Sequence, residues 1–275
     1  MDINLLQILF WNIKRKDLSK EIHALIKEHR CPELIVLSET TQRSRKEISN
    51  ILMSQGYISR TPINGNVRVA IFDKLDSSAI KYLRQDQRFT SIVYDINNQK
   101  FMIVGIHLDS PVSYPDVTDR YVRAADYSII IEQMEKTWEI KKTLLIGDFN
   151  MNPFDKGMVS ELSFKATHCK QTAKRETGNK RYFFNPSWKL FSNDLTQDNR
   201  QPPGTIHYVP HNKDTYVDYW HVFDQVLIRS ELISSLSNSF EVITNIGSIN
   251  LLNQDLVPDR ELYSDHLPIK YQIEV

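Results

Sequence analysis

A small set of polar residue types recurs where the apolar segments of this chain end. The positions, all of them carboxylate, amide or imidazole side chains, are Asn12, Glu39, His107, Asp109, Asp148, Asn150, Asp224, Asp265 and His266. Taken singly, an Asp or Asn after a strand most often belongs to a turn or a helix cap. Glu39 differs, because glutamate forms turns poorly and its charge is costly to bury without a partner. The recurrence of one set at six segment boundaries indicates a shared site.

This set of residues suits the hydrolysis of a phosphodiester. That reaction needs a hydroxide-like nucleophile, neutralised phosphoryl oxygens and help for the leaving oxygen. Carboxylates such as Glu39 and Asp265 are the hard oxygen ligands that Mg²⁺ or Mn²⁺ prefers, and the ion stabilises charge on the phosphoryl group. A histidine beside an aspartate, as with His266, is held in one tautomer. The sequence therefore predicts a divalent-metal-dependent phosphodiesterase, and the scarcity of nearby cysteine argues against structural zinc.

Composition excludes several other classes of protein. The chain has only 8 glycines and carries neither a Walker sequence nor a dinucleotide-binding glycine fingerprint, which argues against a nucleotide-driven motor or a dehydrogenase. Lys plus Arg equals Asp plus Glu at 34 each, so the formal net charge is zero. Nucleic-acid binders are often strongly basic. Any phosphate-binding surface is therefore expected to be local, or to be supplied partly by metal ions.

The cysteines and the apolar runs bear on location. Cys31 and Cys169 form neither a metal-ligand spacing nor a disulfide framework, which favours a reducing compartment. The first residues do not resemble a signal peptide, and no apolar run approaches the length of a membrane span. We therefore expect a cytoplasmic protein without a membrane partner, and the sequence indicates no obligate protein partner.

The hydrophobic pattern predicts an α/β protein with mixed or antiparallel sheets. Strands are predicted over 5–13, 33–38, 67–72, 91–96, 100–108, 143–150, 221–228 and 267–275. Three helices are predicted: one capped by Asp17, one opened by a Ser44 and Glu47 capping box and ended by Gly56, and one over 118–138. Asn97 and Asn98 suggest a hairpin turn. We expect one domain over 1–275, with a loop-rich insert at about 163–220.

Six short motifs together resemble the endonuclease/exonuclease/phosphatase superfamily, which includes DNase I-like and exonuclease III-like enzymes. They span nearly the whole chain in the family's order: FWN (10–12), LSET (38–41), GIHLDSP (105–111), GDFNMNP (147–153), FDQVLI (223–228) and YSDHLPI (263–269). The resemblance implies a four-layer α/β sandwich, in which two mainly antiparallel sheets are flanked by helices. It also implies an active site at one edge of the sheets, where these strand ends meet.

The resemblance further implies a role for each residue at the metal. Glu39 corresponds to the principal metal ligand of the family. Asn12 and Asp265 correspond to residues that lie close to the metal and assist Glu39. Asn12 is expected to contact the substrate as well. The implied cofactor is Mg²⁺ or Mn²⁺.

The remaining site residues correspond to the family's catalytic groups. Asp148 would orient or deprotonate the attacking water, and Asn150 would bind the scissile phosphate. His266 would act as a general base or as a cation that stabilises the phosphoryl group, oriented by Asp224. His107 would contact the phosphate or assist the leaving group.

Three departures narrow the choice among branches of the family. Phe89 stands where DNase I-like enzymes have a glutamate that supports the counterpart of His107. The inositol phosphatase hallmark, a Trp-Cys-Asp-Arg string, reads Val-Phe-Asp-Gln over 222–225. Thr41 replaces the lysine usual two residues after the glutamate in abasic endonucleases. The GDFNMNP motif is closest to deadenylases and general nucleases.

The leading functional hypothesis is a nuclease that hydrolyses DNA or RNA. Lys174, Arg175, Lys180 and Arg181 lie in a basic stretch followed by aromatic residues, and such side chains can track a phosphate backbone while aromatic rings stack on bases. A solvated loop followed by core aromatics explains the same pattern. Two alternatives remain: a phosphatase or phosphodiesterase for a small phosphorylated metabolite or lipid head group, and a catalytically inactive binding protein on the same fold.

Overall fold

The structure, a computed structural model, describes residues 5–62, 67–96, 98–175, 180–193, 201–208, 219–233 and 239–274. The helices are α1 (Ser19–Glu28), α2 (Gln42–Ser54), α3 (Val117–Thr137), α4 (Lys156–Val159) and α5 (Lys170–Ala173). Short 3₁₀ helices cover Ser77–Ala79, Pro186–Ser192 and Ser230–Leu232. Among the helices in these ranges, none combines the length and the apolarity needed to cross a membrane.

The strands are numbered along the chain. They are β1 (Leu6–Asn12), β2 (Leu34–Ser38), β3 (Ile58–Ser59), β4 (Val69–Asp73), β5 (Ile80–Gln85), β6 (Phe89–Ile96), β7 (Gln99–His107), β8 (Lys142–Asp148), β9 (Ala166–Thr167), β10 (Phe183–Phe184), β11 (Ile206–His207), β12 (Trp220–His221), β13 (Asp224–Arg229), β14 (Ser239–Val242), β15 (Asn245–Ile246), β16 (Ile249–Asn250) and β17 (Ile269–Ile273).

Two mixed sheets hold most of these strands. The first sheet has the order β14-β17-β1-β2-β4-β3, and the second has the order β5-β6-β7-β8-β13-β10-β9. Most neighbouring strands are antiparallel, whereas β1 pairs with β2, β7 with β8, and the two-residue strand β9 with β10, in parallel. Parallel neighbours require a crossover connection, which α1 provides in the first sheet and α3 in the second. The β1–β2 and β7–β8 pairs bring the carboxyl ends of four strands to one edge of the two sheets.

The two sheets pack face to face with helices on their outer surfaces. Side chains along β7 alternate: Ile103 joins the core cluster shared with the first sheet, while Met102 and Val104 pack in the cluster that holds the buried face of α3. The apolar faces of α1 and α2 belong to the core cluster of the first sheet. This arrangement confirms the predicted four-layer sandwich.

Helix starts and some strands differ from the sequence predictions. α1 begins after Leu18, without a side-chain cap; Asp17 accepts only a 3.3 Å hydrogen bond from the Ser19 amide. The capping box of α2 uses Thr41 and Ser44, three residues earlier than predicted, because the extended Thr41 accepts the Ser44 amide hydrogen bond. Strands β5 and β14 were not predicted, since both are edge strands that contain many polar residues. Asn97 of the predicted hairpin lies outside the described residues.

Gly147, the glycine that precedes Asp148, is predicted to be intolerant of a side chain. A Cβ atom there would lie 1.9 Å from the Ile106 carbonyl oxygen, which is backbone and cannot rotate away. Gly147→Ala is therefore expected to cost more than about 3 kcal/mol of unfolding free energy, because β7 and β8 must separate. Urea denaturation measures this. Gly56→Ala is the control: nothing lies within 4 Å of its Cβ position, and its φ of +84° costs only about 1–2 kcal/mol. Equal losses would refute the steric argument.

Candidate active site

The predicted site residues stand where the carboxyl ends of β1, β2, β7 and β8 meet the amino end of β13. Register fixes this meeting: His107 is opposite Asp148, and Asp148 is opposite Asp224, in the second sheet. Asn12 bridges the sheets, since its Nδ2 atom donates to Asp148 Oδ2 at 2.9 Å. Glu39 follows directly after β2. The ends of both sheets thus bring side chains from distant parts of the chain into hydrogen-bonding contact.

His266 and Asp224 form a buried pair at the centre of this cluster. His266 Nδ1 lies 2.8 Å from Asp224 Oδ2, and His266 Nε2 lies 3.8 Å from Asp148 Oδ2. Burial alone would lower the pKa of His266, but the charges of Asp224 and Asp148 and the Asp224 hydrogen bond raise it to about 10. Burial, and then the charge of Asp224, raise the pKa of Asp148. His266 is therefore an imidazolium at neutral pH in this arrangement.

Glu39 occupies the more open side of the cluster. Its Oε1 atom lies 3.4 Å from both Asn12 Nδ2 and His107 Nε2. Burial would raise the pKa of Glu39, but the hydrogen bond and charge of His107, with His266 and Asn12, lower it to about 2. The backbone of Glu39 has φ of +52°, a left-handed conformation that glutamate seldom adopts. Such backbone strain clusters at functional sites, where it fixes the direction of a side chain.

Asn150 lies beside the cluster and is held by backbone contacts. Its backbone amide donates to Asp148 Oδ1 at 2.9 Å, and its side-chain Nδ2 atom donates to the Leu108 carbonyl at 3.0 Å. Its φ of +51° is tolerated well by asparagine. Arg120 Nη1 donates to the Asn150 carbonyl at 3.1 Å. The loop after β8 is therefore fixed beside Asp148.

Asp265 is placed differently from Glu39. Its carboxylate forms an ion pair with Lys14 at 2.7 Å, and within the described part of the chain it makes no hydrogen bond with Glu39. It remains near the cluster through His266, the next residue. The structure thus brings together Asn12, Glu39, His107, Asp148, Asp224 and His266 in direct contact, with Asn150 and Asp265 at the border.

The donor set at Glu39 fits a divalent cation. Asp148, Asp224 and His266 are close enough to share an ion, but His266 Nδ1 is already bonded to Asp224 within a fully buried pair. Hard cations prefer partly hydrated oxygen ligands. Glu39 offers such an oxygen: its side chain is 25% exposed and its low pKa keeps it ionised. We therefore favour Glu39, next to Asn12, over the buried triad as the place where an ion binds.

His107 lacks the acidic partner that its counterpart has in DNase I-like enzymes. Its Nδ1 atom is buried and has no hydrogen-bond partner within the described ranges. Phe89 pairs with Ile106, and the His107 amide donates to the Arg88 carbonyl at 2.8 Å. Asp109, which also closes β7, forms ion pairs with Arg88 and with Arg123 instead. His107 Nε2 is the ring nitrogen that faces Glu39 and Asp148.

Arg181, one of the four basic residues predicted to grip a polynucleotide, lies far from this site. Arg181 donates to the carbonyls of Ile140 and Lys141, which lie at the opposite end of β8, about 20 Å from Asp148 by strand rise. Lys180 pairs with exposed Glu161. Lys174 and Arg175 lie exposed after α5, and neither hydrogen-bonds or ion-pairs with a site residue among those described. The prediction is wrong for Arg181, because it reaches the end of the sheet opposite the site; for Lys174, Arg175 and Lys180 it stays a prediction.

Arg181 is predicted to support the fold instead. It also donates to Glu135 and Glu231 at 3.0–3.3 Å. Arg181→Met is therefore expected to lower the unfolding free energy by about 1–3 kcal/mol, because hydrogen bonds to charged groups are lost. Thermal denaturation measures this, with Lys180→Met as the control, since its exposed ion pair contributes less than about 1 kcal/mol. A raised Michaelis constant for polynucleotide with unchanged stability would contradict this role.

Comparison with solved structures reveals the same architecture across the full chain. The structure superimposes on D. rerio TDP2 complexed with single strand DNA product with a TM-score of 0.59 and 14% identity, covering 98% of this chain and 99% of that chain. An endonuclease/exonuclease/phosphatase family protein from Bacteroides thetaiotaomicron gives 0.58 and 13%, covering 98% and 97%. The chain has the endonuclease/exonuclease/phosphatase fold.

A third solved structure shows the same fold, whereas the sequence comparisons found no match. The human Nocturnin catalytic domain with bound sulfate has the same endonuclease/exonuclease/phosphatase fold, with a TM-score of 0.57, 14% identity and coverage of 98% of this chain and 94% of that chain. No family model and no curated protein matches the sequence. The relationship is therefore visible in the fold and in the short motifs that line its site.

Several residues that support the site escaped the sequence analysis. Ser264 donates to the Asn12 carbonyl at 2.6 Å and accepts the His266 amide, and Trp11 Nε1 donates to the His266 carbonyl. Thr205 Oγ1 accepts the Asp224 amide at 3.0 Å. The serine before Asp265-His266 was a visible signal, because serine commonly satisfies neighbouring backbone groups. Thr205 lies in the loop-rich insert, where the sequence pattern gave no indication of its role.

Proposed function

We propose that this chain is a divalent-metal-dependent phosphodiesterase and acts as a nuclease. The observation that carries the proposal is the contact between the two sheets' polar strand ends: Asn12 touches Asp148, Glu39 faces His107, and His266 is paired with Asp224. Five acidic or imidazole groups crowded together would destabilise a protein that made no use of them. This argues against the inactive binding protein.

Each residue has a role that its position supports. Glu39 and Asn12 would hold Mg²⁺ or Mn²⁺, which when bound supplies charge stabilisation for the phosphoryl group. His266, charged in its pair with Asp224, would stabilise the negative phosphoryl oxygens. Asp148, buried between His266 and His107, would orient or deprotonate the attacking water.

The remaining groups would act on substrate. His107 Nε2, which lies 3.6 Å from Asp148 Oδ2, would assist the leaving oxygen. Asn150 would bind the scissile phosphate through the Nδ2 hydrogen that is not donated to the Leu108 carbonyl. Asp265, paired with Lys14, would help to place Glu39 and its ion. Residues that contact a metal only through its ligands change the affinity of the site in the same way.

Two observations bear on the choice between a nuclease and a small-ester phosphatase. D. rerio TDP2 of the same fold was solved with a single strand DNA product, which favours a nucleic-acid substrate. The zero net charge favours the alternative, a small phosphorylated metabolite or lipid head group. Arg181 no longer bears on this choice, because it lies far from the site.

A substrate panel on the purified protein tests the proposal. We expect hydrolysis of bis(4-nitrophenyl) phosphate and of single-stranded oligonucleotides with Mg²⁺ or Mn²⁺, and little hydrolysis of the monoester 4-nitrophenyl phosphate. Preference for the monoester, or for inositol phosphates over oligonucleotides, would place the small-ester phosphatase first. No hydrolysis of any ester at any metal concentration would refute the proposal.

A further inference from the structure

A polar pocket of about 340 Å³ opens beside Glu39. Glu39 itself is part of its wall, together with the start of α2 and three arginines, Arg15, Arg45 and Arg68. The volume exceeds that of one phosphate and falls in the range of roughly 300–1,000 Å³ typical of small-molecule sites. The pocket thus continues directly from the candidate metal ligand.

The charge of this pocket is positive. Three guanidinium groups line it against the single carboxylate of Glu39. Arg15 Nε lies 3.7 Å from Glu39 Oε2, a loose contact for a side chain that is 67% exposed. A cation bound to Glu39 would neutralise that carboxylate and leave the arginines in excess. The pocket therefore suits an anion.

Arg68 is the arginine with the least compensation. Within the described residues its side chain forms no hydrogen bond and no ion pair, although it is half-buried. Burial, and then the positive charges of Arg88 and Arg15, lower the pKa of Arg68. Holding a cation in such surroundings costs stability, so its presence is better explained by a ligand than by the fold.

A fixed arginine side chain and the amino end of α2 also favour an anion in this pocket. Arg45 is buried and its Nη1 atom donates to the Val67 carbonyl and, at 3.3 Å, to Thr40 Oγ1, which fixes its guanidinium in the wall. The 13-residue helix α2 begins at this wall, and its first turn contains no acidic residue. The partial positive charge of a helix amino end favours anions.

We propose that this arginine pocket binds a second phosphate group of the substrate, next to the phosphate that is cleaved. The inference rests on the proposed function, because Glu39 belongs to both places. It names the substrate class more narrowly: phosphodiesters that carry a further phosphate one nucleotide-sized unit away. Both a polynucleotide and a small bisphosphorylated molecule have this chemistry, so the experiment includes each.

Binding measured by titration calorimetry in EDTA tests the pocket without requiring catalysis. The probes are thymidine 5′-monophosphate, thymidine 3′,5′-bisphosphate, a thymidine tetranucleotide and inositol 1,4-bisphosphate. We expect at least one probe with two or more phosphates to bind at least tenfold more tightly than the monophosphate, as for added hydrogen bonds to a charged group. The tightest such probe identifies whether the source is nucleic acid or a small molecule.

Variants assign the effect to the pocket. Arg68→Met and Arg15→Met should each remove most of the tenfold preference and leave the melting temperature no lower than that of the wild type. Arg43→Met is the matched control: it removes the same charge from the exposed face of α2, outside the pocket, and should keep the preference. Equal binding of all probes, or equal losses in Arg68→Met and Arg43→Met, would overturn the inference.

These outcomes separate the pocket from the proposed function. A phosphate preference that depends on Arg68, in a protein that hydrolyses no ester, would support the pocket and refute the phosphodiesterase. Hydrolysis of bis(4-nitrophenyl) phosphate without any preference for a second phosphate would refute the pocket alone. A marked fall in the melting temperature of Arg68→Met would make that arginine a structural residue and would also count against the pocket.

Discussion

Replacing His266 by alanine is expected to lower kcat for bis(4-nitrophenyl) phosphate by about a thousandfold, within the range of roughly 10²–10⁴ for such groups. The reason is the charge of His266, which Asp224 and Asp148 maintain in a buried setting. Among the described residues, no lysine or arginine forms an ion pair with Asp148, and His266 Nε2 lies 3.8 Å from Asp148 Oδ2. Steady-state kinetics at saturating Mg²⁺ measures this effect.

A double-mutant cycle shows whether Asp224 acts through His266. Asp224→Asn alone should cost about a hundredfold, because the pKa of His266 falls when its carboxylate partner is lost. Asp224→Asn with His266→Ala should be little slower than His266→Ala, since residues that work as a unit are non-additive. Multiplicative losses would show that they work separately. A lower melting temperature with an unchanged rate per folded molecule would make Asp224 purely structural.

Glu39→Gln is the second change with a large expected effect. The substitution keeps the size of the side chain and removes its charge, so the affinity for Mg²⁺ should fall by at least about a hundredfold. Activity at low Mg²⁺ should be lost and should return in part when the metal concentration is raised. Metal titration of the rate measures both.

The effect of Glu39→Gln on stability distinguishes function from fold. Contacts with His107 and Asn12 outweigh burial and lower the pKa of Glu39 to about 2, so its charge stabilises the fold at neutral pH; the variant should therefore unfold at a modestly lower temperature than the wild type, while its metal affinity falls far more. Glu241→Gln, at an exposed ion pair with Lys270 far along β14, is the control and should retain full activity. An active Glu39→Gln with unchanged metal dependence would remove Glu39 from the metal site.

The sequence predicted the strands that carry the site better than the elements around it. β2 and β8 are continuous apolar runs that end in Glu39 and Asp148, so their pattern and their chemistry point the same way. β5 and β14 alternate polar and apolar residues at the edges of their sheets, where packing rather than propensity determines the strand. The start of α2 was misplaced because two capping patterns overlap at Ser44.

The sequence alone could not show whether the basic stretch reaches the active site. Local composition shows that Arg181 is basic, but only the pairing of β10 with β13 shows which end of the sheet it reaches. Phe183 and Phe184, two of the aromatic residues that follow the basic stretch, are buried in the core. The arginine pocket was missed because Arg15, Arg45 and Arg68 come from three separate segments, and spacing along the chain does not reveal their meeting.

The dependence of phosphodiester hydrolysis on a divalent ion tests the central claim most directly. Purified protein stripped of metal with EDTA should hydrolyse bis(4-nitrophenyl) phosphate at no more than about a hundredth of its rate in Mg²⁺ or Mn²⁺, since charge stabilisation by the ion is lost. Adding either ion in excess of the chelator should restore the rate, and Glu39→Gln should shift the restoring concentration upward. Full turnover in excess EDTA would contradict a metal-dependent site at Glu39.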